Sequence, residues 1–260
     1  MTSRRVLVTG AASGLGAALA AAFEARGDRV LRTDVAVPHD IAPDDDGWLP
    51  LDITSESAWT TARAHVEQTW GGLDVLVNNA GVAGGGRLDV AGLDEWRWIF
   101  EINLFGMVAG LRTFVPVFKH QRGGQIVNVA SLAGLVHPGG MASYNAVKSA
   151  VVALTETAGH ELAGYGITAH VVCPGFFRTN LMNSIRGADS ALAGVMEHLV
   201  TGSPIAADDV AGAVLAGLEA GEELIVPDEP AQQAVALKRD DRAAYDAVMR
   251  AQAARLDSLG

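Results

Sequence analysis

The sequence has 260 residues, 49% of them hydrophobic, and a net charge of −11 at pH 7. This length and apolar content suit one α/β domain spanning 1–260 with a large core, and the negative charge argues against nucleic acids and anionic membranes as partners. The single cysteine, Cys173, excludes an intrachain disulfide and suits a reducing compartment. We expect a cytoplasmic protein with no leader before its first strand and no apolar run of the ~18 residues that a membrane span needs.

The chain opens with an apolar strand, a glycine-rich turn and a helix. Val6-Leu7-Val8 predicts a buried strand, residues 9–16 read TGAASGLG, and the alanine-rich stretch 17–26 predicts a helix. Glycines in this context let the backbone turn sharply and let a pyrophosphate approach the helix N-terminus, where free N–H groups attract anions. The alternative is a tight turn whose small residues serve packing alone. The residues expected at a dinucleotide are Gly10, Ser13, Gly14, Leu15 and Gly16.

A second strand, predicted over 29–33, ends at Asp34. Asp34 lies 18 residues beyond Gly16, near the offset of about 20 residues at which an acidic side chain binds the adenosine ribose of a dinucleotide. A carboxylate there accepts hydrogen bonds from both ribose hydroxyls and repels a 2′-phosphate, and Ser13 adds no positive charge, so we predict NAD rather than NADP. Arg32 is expected to point elsewhere because side chains alternate along a strand. The alternative for Asp34 is a turn residue that ends the strand.

Strands and helices alternate through the rest of the chain. Strands are predicted at 73–77, 126–130, 167–172 and 224–226, and helices at about 55–70, 94–119, 142–163 and 207–220. Strict alternation predicts a parallel sheet with helices on both faces, and ligands bind such sheets at the carboxyl ends of the strands. The polar loop 40–47, with Asp44-Asp45-Asp46, is interpreted as a solvated turn, because adjacent aspartates without further ligands seldom bind a metal. No metal site is expected.

Tyr144 and Lys148 are four residues apart on the helix predicted over 142–163, and Ser131 lies 13 residues before the tyrosine. Residues i and i+4 share a helix face, and an ammonium beside a phenol is expected to lower a phenol pKa that starts at about 10. Such a phenol can exchange a proton near neutral pH, and a serine hydroxyl can hydrogen-bond the oxygen whose charge changes. Most Tyr-x-x-x-Lys pairs are ordinary exposed neighbours, but this one shares a chain with a nucleotide-binding loop.

Together these motifs closely resemble the classical short-chain dehydrogenase/reductase family over about residues 4–227. The resemblance rests on the order and spacing of TGAASGLG at 9–16, Asp52-Ile53, Asn78-Asn79-Ala80-Gly81, Asn103, Ser131, Tyr144-Asn145-Ala146-Val147-Lys148, Pro174-Gly175 and Thr179. It implies a single-domain Rossmann-type α/β fold, a doubly wound parallel sheet of about seven strands with helices on both faces. It also implies an oxidoreductase that acts on an alcohol or a carbonyl compound.

The resemblance also implies roles for individual residues. Tyr144 would exchange the substrate proton, Ser131 would hydrogen-bond the substrate oxygen, and Lys148 would hold the phenolate and bind the nicotinamide ribose. Asn103 would hold a water in a proton relay to Lys148, and the alternative is an asparagine that serves the core alone. The remaining cofactor contacts implied are Asp52 and Ile53 at the adenine, Asn79, Ala80 and Gly81 along the cofactor, and Pro174, Gly175 and Thr179, the last at the nicotinamide amide.

The segment that begins at Gly175, about 175–203, is expected to fold over the substrate as a lid. Its apolar side chains, with those between Ser131 and Tyr144, predict a pocket for a hydrophobic or aromatic alcohol or ketone. The alternative is that some of them only pack this lid onto the domain. The pocket residues expected are Leu132, His137, Met141, Phe176, Phe177, Met182 and Met196.

The C-terminal part, about 231–260, departs from the family pattern. Pro227-Asp228-Glu229-Pro230 stands where many members carry a glycine-rich tail, and 231–259 predicts one extra helix, rich in alanine and charge. Because the usual tail helps many relatives form one of two tetramer interfaces, its replacement favours a homodimer, with a homotetramer as the alternative. The dimer would use the helices that contain Asn103 and Tyr144.

Three other functions remain open for this sequence. One is an NADP-dependent carbonyl reductase of the same family, and another is an NAD-binding regulator without catalytic activity, since fold alone does not fix function. The complete set of Asn103, Ser131, Tyr144 and Lys148 argues against a regulator, which need not keep all four. The third is an epimerase or dehydratase like the longer relatives. The short chain and the glycine spacing G-x-x-x-G-x-G at 10–16 disfavour it.

Overall fold

The computed structural model describes residues 3–37, 47–179, 181, 184 and 186–259. Their strands are β1 Arg5–Thr9, β2 Arg29–Asp34, β3 Trp48–Pro50, β4 Val75–Asn78, β5 Gly124–Val129, β6 Ile167–Val172 and β7 Leu224–Ile225. They pair in parallel in one seven-stranded sheet of order β3-β2-β1-β4-β5-β6-β7. The order reverses between β1 and β4, and such sheets bind ligands in the crevice at this switch point.

Helices cover both faces of the sheet. They are α1 Gly14–Ala25, α2 Glu56–Trp70, α3 Leu93–Phe100, α4 Met107–Gln121, α5 Ala142–Leu162, α6 Ser190–Thr201, α7 Ala207–Ala220, α8 Glu229–Asp240 and α9 Arg242–Asp257. On β1, Val6 and Val8 face a core shared with α1 and α7, whereas Leu7 faces a core shared with α2, α4 and α5. Alternation along the strand therefore requires helices on both faces. The predicted doubly wound α/β fold is confirmed.

The helices α3 and α4 belong to one continuous helical stretch, joined by a π-helix over Glu101–Gly106. Residues 93–121 are long and apolar enough to cross a membrane by length and composition, so the expectation that the chain lacks such a segment is wrong here. Phe114 and Phe118 are, however, fully buried in the core against the sheet. This is how an apolar core helix packs in a globular protein.

Three elements differ from the sequence prediction. The three-residue β3 and the helix α6 are absent from it, and the single helix predicted over 231–259 is two helices, α8 and α9. The break falls at Asp241, whose carboxylate accepts a hydrogen bond from the Ala244 N–H at 2.9 Å and thereby caps the N-terminus of α9. The acidic loop predicted over 40–47 lies, apart from Gly47, outside the described residues.

Candidate active site

The glycine loop after β1 is hydrogen-bonded to the end of β4. The Asn79 amide donates to the carbonyl oxygen of Thr9 at 2.9 Å, and the Thr9 hydroxyl accepts from the N–H groups of Asn79 and Ala80, both at 3.0 Å. A Cβ on Gly16 would overlap the carbonyl oxygen of Gly10, so this position needs glycine. The loop brings the start of α1 to the crevice, where backbone N–H groups suit a pyrophosphate. The residues predicted here, Gly10, Ser13, Gly14, Leu15 and Gly16, all lie on the loop or in the first turn of α1.

Asp34 ends β2 beside this loop. Its Oδ2 accepts a hydrogen bond from the Ala12 N–H at 3.1 Å, which fixes the carboxylate next to the glycines. Arg32 forms an ion pair with Glu24, with Nη2 2.7 Å from Oε2. This contact agrees with the prediction that Arg32 points away from the ribose position. The next residue, Val35, is apolar and exposed. Among the described residues, the end of β2 therefore presents a negative charge and no free cation at the ribose position.

Other residues implied in cofactor binding lie at the carboxyl ends of the strands. Thr179 lies against the glycine loop, where a Cβ on Gly14 would be 2.8 Å from the Thr179 hydroxyl oxygen. Asp52 and Ile53 follow β3, and the Asp52 carboxylate accepts hydrogen bonds from the N–H and hydroxyl of Thr54 at 2.9 and 2.7 Å. These placements fit a cofactor that extends across the edge of the sheet.

Pro174 and Gly175 follow β6 and are connected to the C-terminal helices. The Gly175 N–H donates to Asp228 at 2.8 Å, and Asp228 also accepts from the Ala231 N–H at 2.9 Å, which caps α8. Because Asp228 is buried, it ties α8 to the start of the predicted lid. This role of Asp228 is not among the residues predicted from the sequence, although an aspartate followed closely by Pro230 signals a helix start.

Ser131, Tyr144 and Lys148 come together at the carboxyl end of β5. Ser131 follows β5, and its side chain is close enough to the Tyr144 phenol to affect the phenol pKa. Tyr144 and Lys148 occupy the first two turns of α5. Lys148 Nζ donates to the carbonyl oxygen of Val129 at 3.0 Å and lies 5.8 Å from the centroid of the Tyr144 ring. Tyr144 and Lys148 are 8% and 6% exposed. The structure therefore holds a buried phenol close to a hydroxyl and an ammonium.

The pKa of Tyr144 is not lowered in this structure. Burial raises the pKa to about 12, and the hydrogen bond with Ser131 offsets only part of the rise. Burial also lowers the pKa of Lys148 to about 8, because loss of water favours the neutral form of each group. The expectation of a lowered phenol pKa is therefore wrong in this structure, where burial acts in the opposite direction.

Asn103 lies in the π-helical turn between α3 and α4 and is buried. Its Oδ1 accepts from the Val82 N–H at 2.8 Å, and its Nδ2 donates to the Val82 carbonyl oxygen at 3.0 Å. A Cβ on Gly81 would lie 2.7 Å from the same Oδ1, so the amide packs closely on this segment. These contacts favour a positioning role for the side chain, and the water relay stays a prediction.

The predicted pocket residues occupy more than one place. Met141 and Met196 pack with Tyr144 in one apolar cluster. Leu132 and Phe176 instead line a cavity of about 440 Å³ between the C-terminal end of α6 and the start of α8. The cavity is not lined by Met141, Met196 or Tyr144.

Phe177 and His137 depart from the predicted pocket, and Met182 lies outside the described residues. Phe177 is buried in the core between α1 and α7, so its assignment to the pocket is corrected. His137 is exposed, with Nε2 3.2 Å from Ser149 Oγ and Nδ1 3.1 Å from Lys238 Nζ. Its ring therefore contacts α5 and α8.

An ion pair between Arg87 and Asp189 lies near the site, and no motif in the sequence predicts it. Arg87 Nε donates to Asp189 Oδ2 at 2.9 Å, and the Asp189 side chain is fully buried. Burial alone would raise the pKa of Asp189, but hydrogen bonds from Arg87 and the Leu192 N–H, together with the charge of Arg87, hold that pKa below its usual range. Asp189 also caps α6 by accepting from the Leu192 N–H at 3.2 Å. The pair joins α6 to the loop after β4, and its partners are too distant in sequence for a local pattern to show it.

Comparison with known proteins supplies the family. The family model described as short chain dehydrogenase matches residues 4–190. The trans-4-hydroxycyclohexanecarboxylate dehydrogenase of Sinomonas cyclohexanicum is 35% identical over 198 residues, which cover 69% of this chain and 74% of that protein.

Solved structures show the same likeness over most of the chain. A short chain dehydrogenase/reductase from Burkholderia phymatum, in complex with NAD, has a TM-score of 0.82 and 26% identity and covers 93% of this chain and 95% of its own. A short chain dehydrogenase from Burkholderia cenocepacia J2315, in complex with NADP, has a TM-score of 0.80 and 30% identity, with 95% and 97% covered. With the sheet order and the motif residues at the strand ends, these matches show that the chain belongs to the short-chain dehydrogenase/reductase family and is an oxidoreductase acting on CH–OH groups.

Proposed function

We propose that this protein is an NAD-dependent dehydrogenase that interconverts a hydrophobic, secondary alcohol and its ketone. The observation that carries the proposal is the joint placement of Ser131, Tyr144 and Lys148 at the carboxyl end of β5. A phenol that contacts a hydroxyl, with an ammonium near its ring, suits proton exchange with a substrate oxygen. A bound nicotinamide supplies the hydride acceptor or donor.

The proton chemistry follows from the protein's own side chains. In carbonyl reduction, Tyr144 would give its proton to the substrate oxygen, and the Ser131 hydroxyl would hydrogen-bond the same oxygen as its charge develops. In alcohol oxidation, the proton would return to the phenolate. Because burial raises the pKa of Tyr144 to about 12, oxidation at neutral pH requires additional positive charge near the phenol. Lys148, held by the Val129 carbonyl group, is already part of that environment, so the additional charge would have to come with the bound cofactor.

Asp34 supports NAD over NADP. Its carboxylate, fixed by the Ala12 N–H, can accept hydrogen bonds from two ribose hydroxyls and would repel a 2′-phosphate. Arg32 is already engaged by Glu24. The NAD complex of the Burkholderia phymatum relative supports a nicotinamide dinucleotide in the crevice of this chain.

The surroundings of Tyr144 support a hydrophobic substrate. Met141, Leu192 and Met196 pack with the tyrosine in one apolar cluster, and apolar walls with few polar groups are typical of small-molecule sites. The relative from Sinomonas cyclohexanicum is named for a hydroxycyclohexane carboxylate. Ring alcohols are therefore a sensible first choice for assays.

The organisation of the chain is part of the proposal. Residues 1–260 would form one domain, with a substrate lid over 175–203 that includes α6 and an extension over 231–260 made of α8 and α9. Two copies would pair as a homodimer, and the protein would work in the cytoplasm.

A turnover screen followed at the nicotinamide absorbance tests the function. Hydrophobic secondary alcohols and their ketones are offered with NAD and NADP in parallel. We expect turnover of at least one pair with NAD, and loss of that turnover in Tyr144→Phe. A protein that binds NAD but turns over no compound in either direction would overturn the proposal in favour of a non-catalytic regulator.

The second candidate is an NADP-dependent carbonyl reductase. The observation in its favour is the NADP complex of the Burkholderia cenocepacia relative, which has a similar TM-score. The same screen separates the two candidates, because ketone reduction that is efficient only with the reduced form of NADP would favour this alternative.

A further inference from the structure

We propose that Leu256 of α9 forms part of the substrate wall above Tyr144 and limits the size of the alcohol that the site accepts. The inference rests on the proposed function and adds a substrate class to it, namely compact rather than extended hydrophobic alcohols. The helix α9 lies beyond the region that the family model matches, residues 4–190. The family model therefore does not include this wall.

The two C-terminal helices are fastened to the segment that precedes Tyr144. Lys238 of α8 donates a hydrogen bond to the Leu135 carbonyl oxygen, and its Nζ lies 3.1 Å from His137 Nδ1. Tyr245 of α9 is buried and accepts a hydrogen bond from the His137 N–H at 3.0 Å. Two of these contacts are to backbone groups, so α8 and α9 have a defined place over this segment.

The last turns of α9 pack on the chain just before α5. A Cβ on Gly139 would lie 2.9 Å from Ala253 Cβ, and a Cβ on Gly140 would overlap the Leu256 side chain. Gly140 has a φ of +80°, a conformation that residues with side chains rarely adopt. The glycine pair thus leaves room for α9 to reach the site.

Leu256 belongs to the same apolar cluster as Tyr144. The cluster also contains Met141, at the start of α5, and Leu192 of α6, and Leu256 is only 6% exposed. Three separate parts of the chain therefore meet in the apolar cluster that contains Tyr144. The carbon skeleton attached to the oxygen that Tyr144 protonates would extend into this apolar space, toward the leucine.

Two ion pairs of Arg87 join α9 and α6, the helices that carry Leu256 and Leu192. Arg87 Nη1 lies 3.7 Å from Asp257 of α9, and Arg87 Nε lies 2.9 Å from Asp189, the cap of α6. One guanidinium group therefore connects α9 with α6. An extended substrate would have to separate these two helices, whereas a compact one would not.

The test measures a ratio of specificity constants rather than activity alone. The probes are cyclohexanol and 4-phenylcyclohexanol, or the small and bulky members of whichever alcohol class the screen identifies. Leu256→Ala should raise kcat/KM for the bulky alcohol relative to the small one by about tenfold or more, since a few methylene groups in an apolar pocket discriminate by such factors. Leu256→Val should shift the ratio in the same direction by less.

Leu259→Ala is the matched control, because Leu259 is 56% exposed and lies three residues further along. Its ratio should stay within about twofold of the wild type. A folded Leu256→Ala with an unchanged ratio and unchanged affinity for NAD would overturn the inference and leave the proposed function standing. If Leu256→Ala does not fold, Leu256→Val decides by the same criterion. If the wild type turns over no alcohol or ketone, the proposed function fails and this inference with it.

Discussion

The ammonium group of Lys148 donates a hydrogen bond to the backbone carbonyl oxygen of Val129 at 3.0 Å. Val129 is the last residue of β5, and Ser131 follows it by two residues. One strand end therefore fixes both polar groups that flank Tyr144. Because the sheet sets these positions, the geometry proposed for proton exchange would not depend on where the predicted lid lies. Sites built on regular elements hold their geometry more closely than sites on loops.

Tyr144→Phe removes the hydroxyl group and keeps the ring that packs with Met141 and Leu192. We expect kcat to fall about a thousandfold, because general acid–base groups contribute about 10²–10⁴ in rate. The Kd for NAD should change little, since the glycine loop and Asp34 carry most of the binding. Steady-state kinetics and a direct NAD titration measure the two effects. Activity within about tenfold of the wild type, a barrier change of about 1.4 kcal/mol, would rule out the assigned role.

Asp34 should make the enzyme prefer NAD. We expect kcat/KM with NAD to exceed that with NADP by about a hundredfold, or about 2.7 kcal/mol, and Asp34→Ala to remove most of this preference. Asp34→Asn is the informative control, because it keeps an acceptor for the Ala12 N–H and removes only the charge. Comparable efficiency of the wild type with both cofactors would contradict the assignment.

Asp189→Asn should destabilise the fold at pH 7. The carboxylate is buried and paired with Arg87, and we expect the free energy of unfolding to fall by about 2 kcal/mol in urea titrations. The control is Asp94→Asn, which removes an exposed ion pair with Arg97 and should cost less than about 0.5 kcal/mol. If the two variants lost equal unfolding free energy, the claim that the buried ion pair stabilises the fold more than the exposed one would be wrong.

The same pair predicts a pH dependence. Although burial works against it, hydrogen bonding by Arg87 holds the pKa of Asp189 below its usual range in the folded protein. The unfolded chain therefore takes up this proton at a higher pH, and the stabilisation by Asp189 is complete above about pH 4 and lost as the pH falls through the folded pKa. Urea titrations at successively lower pH should show the difference between wild type and Asp189→Asn shrinking. A difference that stays constant down to pH 2 would refute this linkage.

Asn103→Ala should loosen the segment that follows Gly81. The substitution leaves the N–H and carbonyl groups of Val82 without their partners, and each such group costs about 1–3 kcal/mol when buried. We expect the free energy of unfolding to fall by about 2–4 kcal/mol, measured by urea titration. Asn103→Asp is the control, because a protonated carboxyl group can accept from the Val82 N–H and donate to the Val82 carbonyl oxygen. At a pH below the pKa of the new carboxyl group, this variant should lose less unfolding free energy than Asn103→Ala. A loss below about 0.5 kcal/mol in Asn103→Ala would show that these hydrogen bonds do not hold the segment.

The oligomer is expected to be a dimer. The C-terminal helices pack on their own chain through Tyr245 and Leu256, in place of the glycine-rich tail that assists tetramer formation in many relatives. Sedimentation equilibrium at micromolar concentration measures the assembly. A stable tetramer that persists after deletion of 231–260 would show that this part of the chain does not control it.

Local spacing accounts for the features that the sequence predicts correctly. Tyr144 and Lys148 are one helical turn apart, and the strand, glycine turn and helix around 9–16 are contiguous, so the geometry follows from neighbouring residues. The alternation of Val6, Leu7 and Val8 likewise fixes which side chains face each layer of helices. These signals act over a few residues and survive folding unchanged.

Features that depend on distant contacts escape such reasoning. Phe177 is apolar whether it lines a pocket or joins the core, and only the path of the chain decides. The pKa of Tyr144 depends on how completely the surrounding elements bury it, which no spacing reveals. The packing of Leu256 on Gly140 joins segments that are far apart in sequence. Asp241 is different, because it caps α9 through a bond to Ala244, only three residues away. Aspartate is a common N-cap residue, so this break is a local signal that the prediction of one helix misses.

The position of α9 has a consequence for the order in which the protein matures during translation. This helix borders Tyr144, yet the ribosome makes it after every other helix and strand described above. N-terminal parts of a chain fold first as they emerge, so the crevice between β1 and β4 can form while α9 is still being synthesised. A nascent chain can thus form the crevice proposed for the dinucleotide early, and the proposed enclosure for the alcohol would be completed only when Leu256 has emerged.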